Sequence, residues 1–367
     1  MRLRIPCLLL YAALAAACGP VTAQDYRIET LAEGLEHPWS IAFLPDGRML
    51  VTERAGRLRI IEDGELLAEA VQGVPEAFVR SQAGLFEVAL DPDYEENGWI
   101  YLSLAHGTAR ANSTRVVRGR LAGGSLREIE VLFTADPPRN TAAHYGGRIA
   151  FLADGSLVIG LGDGSDFRED AQRLDSHNGK IVRIHRDGGV PADNPFVGRD
   201  GALPEIYSYG HRNVQGLVFD TASGRLWAHE HGPRGGDEIN LILPGGNYGW
   251  PVATFGVEYS GARITPYTSR PGMEDPLLHW TPSIAPAGMT LYEGTQFPAW
   301  RGDLFVAALV AKEARRVMIE DGRITGQEAL FDEMRARLRA IETGPDGALY
   351  VLTDQPRGRV LRISARP

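Results

Sequence analysis

The chain of 367 residues carries 38 Lys and Arg against 47 Asp and Glu, a formal charge of −9 with histidine neutral. No basic block or aromatic-basic stripe breaks that acidic balance, which argues against nucleic acid as a partner. The two cysteines, Cys7 and Cys18, both lie near the N-terminus, so no disulfide framework staples the remainder. Arg2 and Arg4 precede an apolar run from Leu8 to Ala17, and small residues then end in Val21-Thr22-Ala23. This reads as an export signal over residues 1–23, cut after Ala23, and predicts a periplasmic protein. Ala15-Ala16-Ala17-Cys18 offers an alternative in which Cys18 carries a lipid anchor, although a larger aliphatic residue is usual three places before such a cysteine. The apolar run falls short of the roughly 20 residues that span a bilayer, and no later segment is a candidate span. Removing Arg2 and Arg4 leaves 36 basic against 47 acidic side chains, a formal charge of −11.

From residue 24 to 367 one pattern recurs about six times: an apolar-alternating strand, a tight turn, a second β-rich strand, then a basic-apolar third. "SIAFLPDGRMLVTER" precedes "GRLRII", "VALDPDYEENGWIYLSLA" precedes "TRVVRGRL", and "RIAFLADGSLVIGLGD" precedes "GKIVRI". "GLVFDTASGRLWAHEHG" then precedes "DEINLI", "GMTLYEGTQFPAWRGDLFVAAL" precedes "RRVMIED", and "AIETGPDGALYVLTD" precedes "GRVLRI". The spacing of roughly 45 to 80 residues leaves room for insertions between later strands, where function usually resides. A unit this small cannot bury both faces of its strands, so neighbours must pack face to face and close a ring. The prediction is an all-β, single-domain, six-bladed β-propeller. A decorated β-sandwich uses similar strands but gives no reason for the same turn to recur from Asp46-Gly47 to Asp346-Gly347. The charged segment from Glu333 to Arg339 reads as a short helix or the approach to a strand.

Several familiar signatures are absent. There is no Cys-x-x-Cys and no Gly-x-Ser-x-Gly, and "HEHGP" lacks the second-histidine spacing of a zinc protease helix. "GLGDGS" has Ser165 where a nucleotide loop needs its third glycine, and reads as a turn after a strand. What remains is a series of conspicuous strand ends: "SQAGL", "AHYGGR", "GLGDG", "GHRNVQG", "EHGPRGGDEIN", "GGNYGWP", "WTPSIAP", "VAKEARRV" and "RARLRAI". In this order, across essentially the whole chain after the signal, they resemble the soluble pyrroloquinoline quinone (PQQ) dependent aldose and glucose dehydrogenases, exported six-bladed propellers.

The resemblance implies a site. PQQ is an ortho-quinone with three carboxylates, and Lys312, Arg337 and Arg339 would stand beside it, with Arg212, Asn213 and Ser283 as polar contacts. Arg337 and Arg339 share a face if their segment is extended. Calcium, a hard ion that takes carbonyl oxygens, would be held by Gly232 and Pro233, while Glu238 and Tyr248 match positions of a separate structural calcium. His144 would act as general base, oriented by Asp163, and Gln82 and Trp280 would face an aldose sugar. The implied reaction takes the anomeric hydroxyl proton to His144 and yields a lactone, with a separate electron acceptor reoxidising the cofactor. Ala143 stands where some glucose-specific relatives are acidic, which points to broad aldose oxidation. A noncatalytic carbohydrate- or protein-binding propeller and a calcium-dependent lactonase are the competing readings.

Overall fold

The computed structural model describes residues 26–366, so the export signal read at 1–23 and the anchor alternative at Cys18 lie outside the described residues. The chain opens with β1 (Tyr26–Leu35). The first blade follows as β2 (Pro38–Phe43), β3 (Met49–Glu53), β4 (Arg57–Glu62) and β5 (Glu65–Leu66). The second is β6 (Leu85–Leu90), β7 (Trp99–Gly107), β8 (Asn112–Ala122) and β9 (Ser125–Thr134). The third is β10 (Gly146–Phe151), β11 (Leu157–Leu161), β12 (Lys180–Ile184) and β13 (Ile206–Tyr209). The fourth is β14 (Val214–Asp220), β15 (Arg225–Glu230), β16 (Asp237–Ile242) and β17 (Leu278–Trp280). The fifth is β18 (Pro286–Leu291), β19 (Leu304–Ala308), β20 (Ala314–Glu320) and β21 (Arg323–Leu330). The sixth is β22 (Leu338–Thr343), β23 (Leu349–Thr353) and β24 (Gly358–Ala365), completed by β1.

Each sheet is antiparallel and each blade is a meander, so the fold is the six-bladed β-propeller that the repeats predicted. The first and last strands of the chain pair along their length, from Tyr26 opposite Ala365 to Leu35 opposite Gly358, and this latch closes the ring. The three-strand repeat left the outermost strand of each blade unread. Those strands face solvent: β9 is exposed along its middle and β21 alternates with exposed residues, so they lack a strong apolar signature. The segment before β22 contains a single 3-10 turn, Asp332–Met334.

Second strands behave in the opposite way. β3, β11, β19 and β23 are buried at every position, because both of their faces lie against neighbouring blades. Six apolar clusters fill the six interfaces between adjacent blades, for example Leu50, Leu58, Leu85 and Leu102 between the first and second. The Asp/Gly turns joining innermost to second strands place Gly47, Gly155 and Gly347 at φ of 91°, 80° and 76°, a left-handed conformation that glycine adopts without strain. The innermost strands β2, β6, β10, β14, β18 and β22 contact one another in sequence around the axis. One end of the ring therefore collects the residues that lead into each innermost strand and those that follow each second strand.

Candidate active site

At that end lies a cavity of about 220 Å3 to which every blade contributes. Its wall comprises Trp39 and Arg54, Gln82 and Phe86, Tyr145 and Gly146, then Asn213, Gln215 and His231, Ala285 and Leu309, and finally Arg337, Arg339 and Asp354. Three guanidinium groups share this wall with one carboxylate, in a chain whose overall charge is negative. Arg337 and Arg339 both reach Asp354, with Nη2 to Oδ2 distances of 3.3 and 3.6 Å, as their two-residue spacing on one face requires. Burial pulls the Arg339 guanidinium down to about 10; Asp354 opposes this, and Arg148, Arg337 and Arg54 add to it. Beneath the wall, Arg148 packs its guanidinium 3.9 Å from the centre of the Trp39 ring and donates to Glu87 at 2.9 Å and to the Gln215 carbonyl at 2.8 Å.

His144 lies two residues before β10 with φ of 51°, not on the wall itself but next in the chain to the lining residue Tyr145 and bonded to the lining residue Gln82. Its backbone N–H donates to Gln82 Oε1 at 2.9 Å, and its Nδ1 lies 2.7 Å from Asp163 Oδ1. Asp163 follows β11 and is itself held: Oδ1 accepts the Ser165 N–H at 2.7 Å and Oδ2 accepts the Trp250 indole N–H at 2.8 Å. The approach of these segments is close enough that a Cβ at Gly162 would fall 2.0 Å from the His144 carbonyl oxygen. Burial lowers the His144 pKa below the usual imidazole value; its hydrogen bond to Asp163 opposes the shift, and the charges of Arg212 and Arg139 add to it. Burial works to raise Asp163, but its bonds to His144 and Ser165 and the Arg212 charge hold it below the usual carboxylate value. The pair therefore favours a neutral imidazole beside an ionised carboxylate. With the Nδ1 proton shared to Asp163, Nε2 carries the lone pair, and it makes no hydrogen bond to the described residues.

Arg212 is buried next to the cavity and donates through Nη1 to the carbonyls of His231 at 3.1 Å and Gly232 at 2.7 Å. Gly232, Glu238 and Tyr248 line a much smaller neighbouring space together with Arg212, Glu230 and Trp250. Pro233 is buried beside Gly256. Burial drives Glu238 well above the usual carboxylate value and the charge of Glu230 adds to this, the state that a hard cation would relieve. A cation would therefore offset the buried charge at Glu238, whereas the Gly232 oxygen already accepts from the Arg212 guanidinium. The Tyr248 hydroxyl is committed to the backbone of Leu241 and Leu243. Among the described residues no three His, Cys, Asp or Glu side chains are arranged around a metal position, so a cation here would lean on carbonyl oxygens.

Of the expected cofactor, sugar and catalytic residues, Gln82, Asn213, Arg337 and Arg339 line the cavity, Arg212, His144 and Asp163 stand behind the wall, and three more are directed elsewhere. Trp280 was expected against the sugar, yet it is packed between the fourth and fifth blades with Trp227 and Met289, and its indole donates to Gln327 at 2.8 Å. Its place in β17, at the outer edge of a blade, separates it from the axis. Ser283 donates to Asp237 at 2.7 Å and stabilises the turn into β18. Lys312 is exposed on the turn between β19 and β20. Conversely, Trp39, Arg54, Gln215, His231 and Asp354 line the wall without having been singled out in the sequence. The signal was available: they occupy recurring positions, either leading into or within an innermost strand or ending a second strand.

Residues 35–362 match the glucose/sorbosone dehydrogenase family model. The aldose sugar dehydrogenase YliI of Escherichia coli is 40% identical over 368 residues, which cover 99% of this chain and 98% of the relative. The crystal structure of the E. coli soluble aldose sugar dehydrogenase in its apo-form superposes with a TM-score of 0.89 at 40% identity, covering 93% of this chain and all of that one. The PQQ-bound aldose sugar dehydrogenase of Streptomyces coelicolor superposes with a TM-score of 0.76 at 28% identity, covering 94% of this chain and all of the other. The chain belongs to the glucose/sorbosone dehydrogenase family.

Proposed function

We propose that the axial cavity binds PQQ and that the protein oxidises aldose sugars at the anomeric carbon to lactones. The observation that carries this reading is the excess of cations, Arg54, Arg337 and Arg339 against Asp354, on a wall that also offers the aromatic faces of Trp39, Phe86 and Tyr145. A flat, triply acidic molecule needs that combination. Arg337 and Arg339 hold carboxylates, Asn213 and Gln215 supply amide contacts, and Arg212 adds positive charge from behind. When bound, PQQ would supply a two-electron acceptor for the hydride leaving the sugar, and calcium held through the Pro233 carbonyl, with the Gly232 carbonyl shared with Arg212, would supply a Lewis acid.

The residues of the chain manage the proton. His144 Nε2 accepts it from the anomeric hydroxyl, Asp163 fixes the ring through Nδ1 and stabilises the imidazolium, and Trp250 and Ser165 fix Asp163 in turn. Gln82 holds the His144 backbone and faces the sugar side of the cavity. Ala143 offers the sugar no carboxylate, so the enzyme accepts several aldoses. A separate acceptor would reoxidise the reduced cofactor, and an export signal at residues 1–23 would put the reaction in the periplasm.

Reconstitution tests the reading. Purified protein given PQQ and calcium is expected to bind the cofactor and to reduce an artificial electron acceptor when an aldose is added. Absence of PQQ uptake would end the assignment and leave a sugar-binding propeller. Calcium omission is expected to lower turnover, and Arg337→Ala, which removes a cation from the cavity wall, to weaken cofactor retention.

A further inference from the structure

Arg139 lies in the loop before β10 and is only 4% exposed. Its Nη1 donates to the Gly162 carbonyl at 3.0 Å and to Asn178 Oδ1 at 3.2 Å, and its guanidinium carbon sits 4.5 Å from the centre of the Tyr145 ring. Gly162 and Gly164 flank Asp163, and Tyr145 follows His144. A Cβ on Gly164 would fall 2.6 Å from Arg139 Cδ, so the side chain runs directly against the backbone that carries Asp163. Arg139 Nε and Nη2 are buried without a hydrogen-bond partner among the described residues. Its contacts are two neutral oxygens and an aromatic face, with no ion pair to any described carboxylate. A buried guanidinium without a counter-ion is costly, and a neutral side chain could fill the same space.

We propose that Arg139 is a positioning residue for the His144–Asp163 pair, a buried cation without a carboxylate partner, held against the backbone on both sides of Asp163 and against the Tyr145 ring so that its charge acts on the pair. This rests on the role proposed for His144. The groups facing that imidazole are Asp163 after β11, Arg212 before β14, His231 after β15, and Arg139 and Tyr145 from the segment around β10. Burial disfavours the imidazolium most, Asp163 opposes, and the two arginines reinforce burial. Arg212 donates through Nη1 to the carbonyls of His231 and Gly232, whereas Arg139 Nε and Nη2 are buried without a partner among the described residues. Removing the charge of Arg139 therefore eases protonation of His144 and raises its pKa.

The test is the pH profile of kcat/KM for enzyme reconstituted with PQQ and calcium. Arg139→Met is expected to move the acid limb to higher pH, while activity above that limb is largely kept. Arg139→Lys, which retains the cation, is expected to restore the wild-type limb. A limb in Arg139→Met that stays in place or moves down overturns the proposal. Should the Met variant not fold, Arg139→Gln takes its place with the His144 ring resonances as readout: titration at higher pH than in the wild-type protein supports the proposal, and titration at the same or lower pH overturns it. The NMR titration needs neither PQQ nor sugar, so a failure of the proposed dehydrogenase activity is separable from a failure of the charge effect.

Discussion

His144 and His211 lead into neighbouring innermost strands and make nearly the same bond. Each turns Nδ1 to a carboxylate that follows or ends the second strand of its blade, at 2.7 Å to Asp163 and 2.8 Å to Glu230. They part at the other nitrogen. His211 Nε2 is bonded to the Ser208 hydroxyl at 2.9 Å, its ring is stacked 4.6 Å from that of Tyr248, and the residue is fully buried. The His144 side chain keeps 11% exposure and its Nε2 is unclaimed by the described residues. A carboxylate behind an imidazole thus does not by itself suit the ring to act as a base; the role proposed for His144 also requires the second nitrogen that His211 has committed. In the fourth blade the same pair ties the loop before β14 to the end of β15, and Glu230 also accepts the backbone N–H of Arg212.

The largest effect that would sharpen this contrast is His144→Gln, expected to lower kcat by about 100-fold or more, the scale of a lost general base, while PQQ affinity by fluorescence titration is retained. Unchanged turnover would remove His144 from the chemistry. Asp163→Asn should cost less, about tenfold in kcat, the worth of one orienting hydrogen bond, because the imidazole itself remains. Asp163 favours the imidazolium, so its loss should also move the acid limb of kcat/KM to lower pH, opposite in sign to Arg139→Met. His211→Gln should break the pattern in the other direction: kcat within about threefold of wild type, and unfolding free energy reduced by about 1–3 kcal/mol for a buried polar group left unpaired. A loss of turnover in His211→Gln comparable with that of His144→Gln, in protein of normal stability, would erase the distinction.

The pairing of His144 with Asp163 was legible because both sit at ends of strands in one blade, and a repeat aligned on its Asp/Gly turn puts such ends together. The two arginines of "RARLRAI" were legible for the same reason, since spacing by two on a strand means one face. Arg54, His231 and Asp354 lay in the quoted repeats at equivalent ends, but their sequence neighbours are ordinary and they become a wall only when six units converge on an axis. Trp280 shows the reverse error. A tryptophan near a site motif looks like a sugar platform, yet its strand is the outermost of its blade, and a radial position is not written in local sequence.

By itself, then, the chain determined the unit: which residues alternate, where glycine must turn, and which strands are apolar on both faces and so must be sandwiched. Those are properties of near neighbours, and burial acts on them locally. Closure by β1 on β24, the cation excess around the axis, and the difference between a committed and an open imidazole were decided only in three dimensions. Each depends on groups far apart in sequence meeting at a distance of a few ångströms, where charge, burial and the presence of a second partner set what a side chain can do.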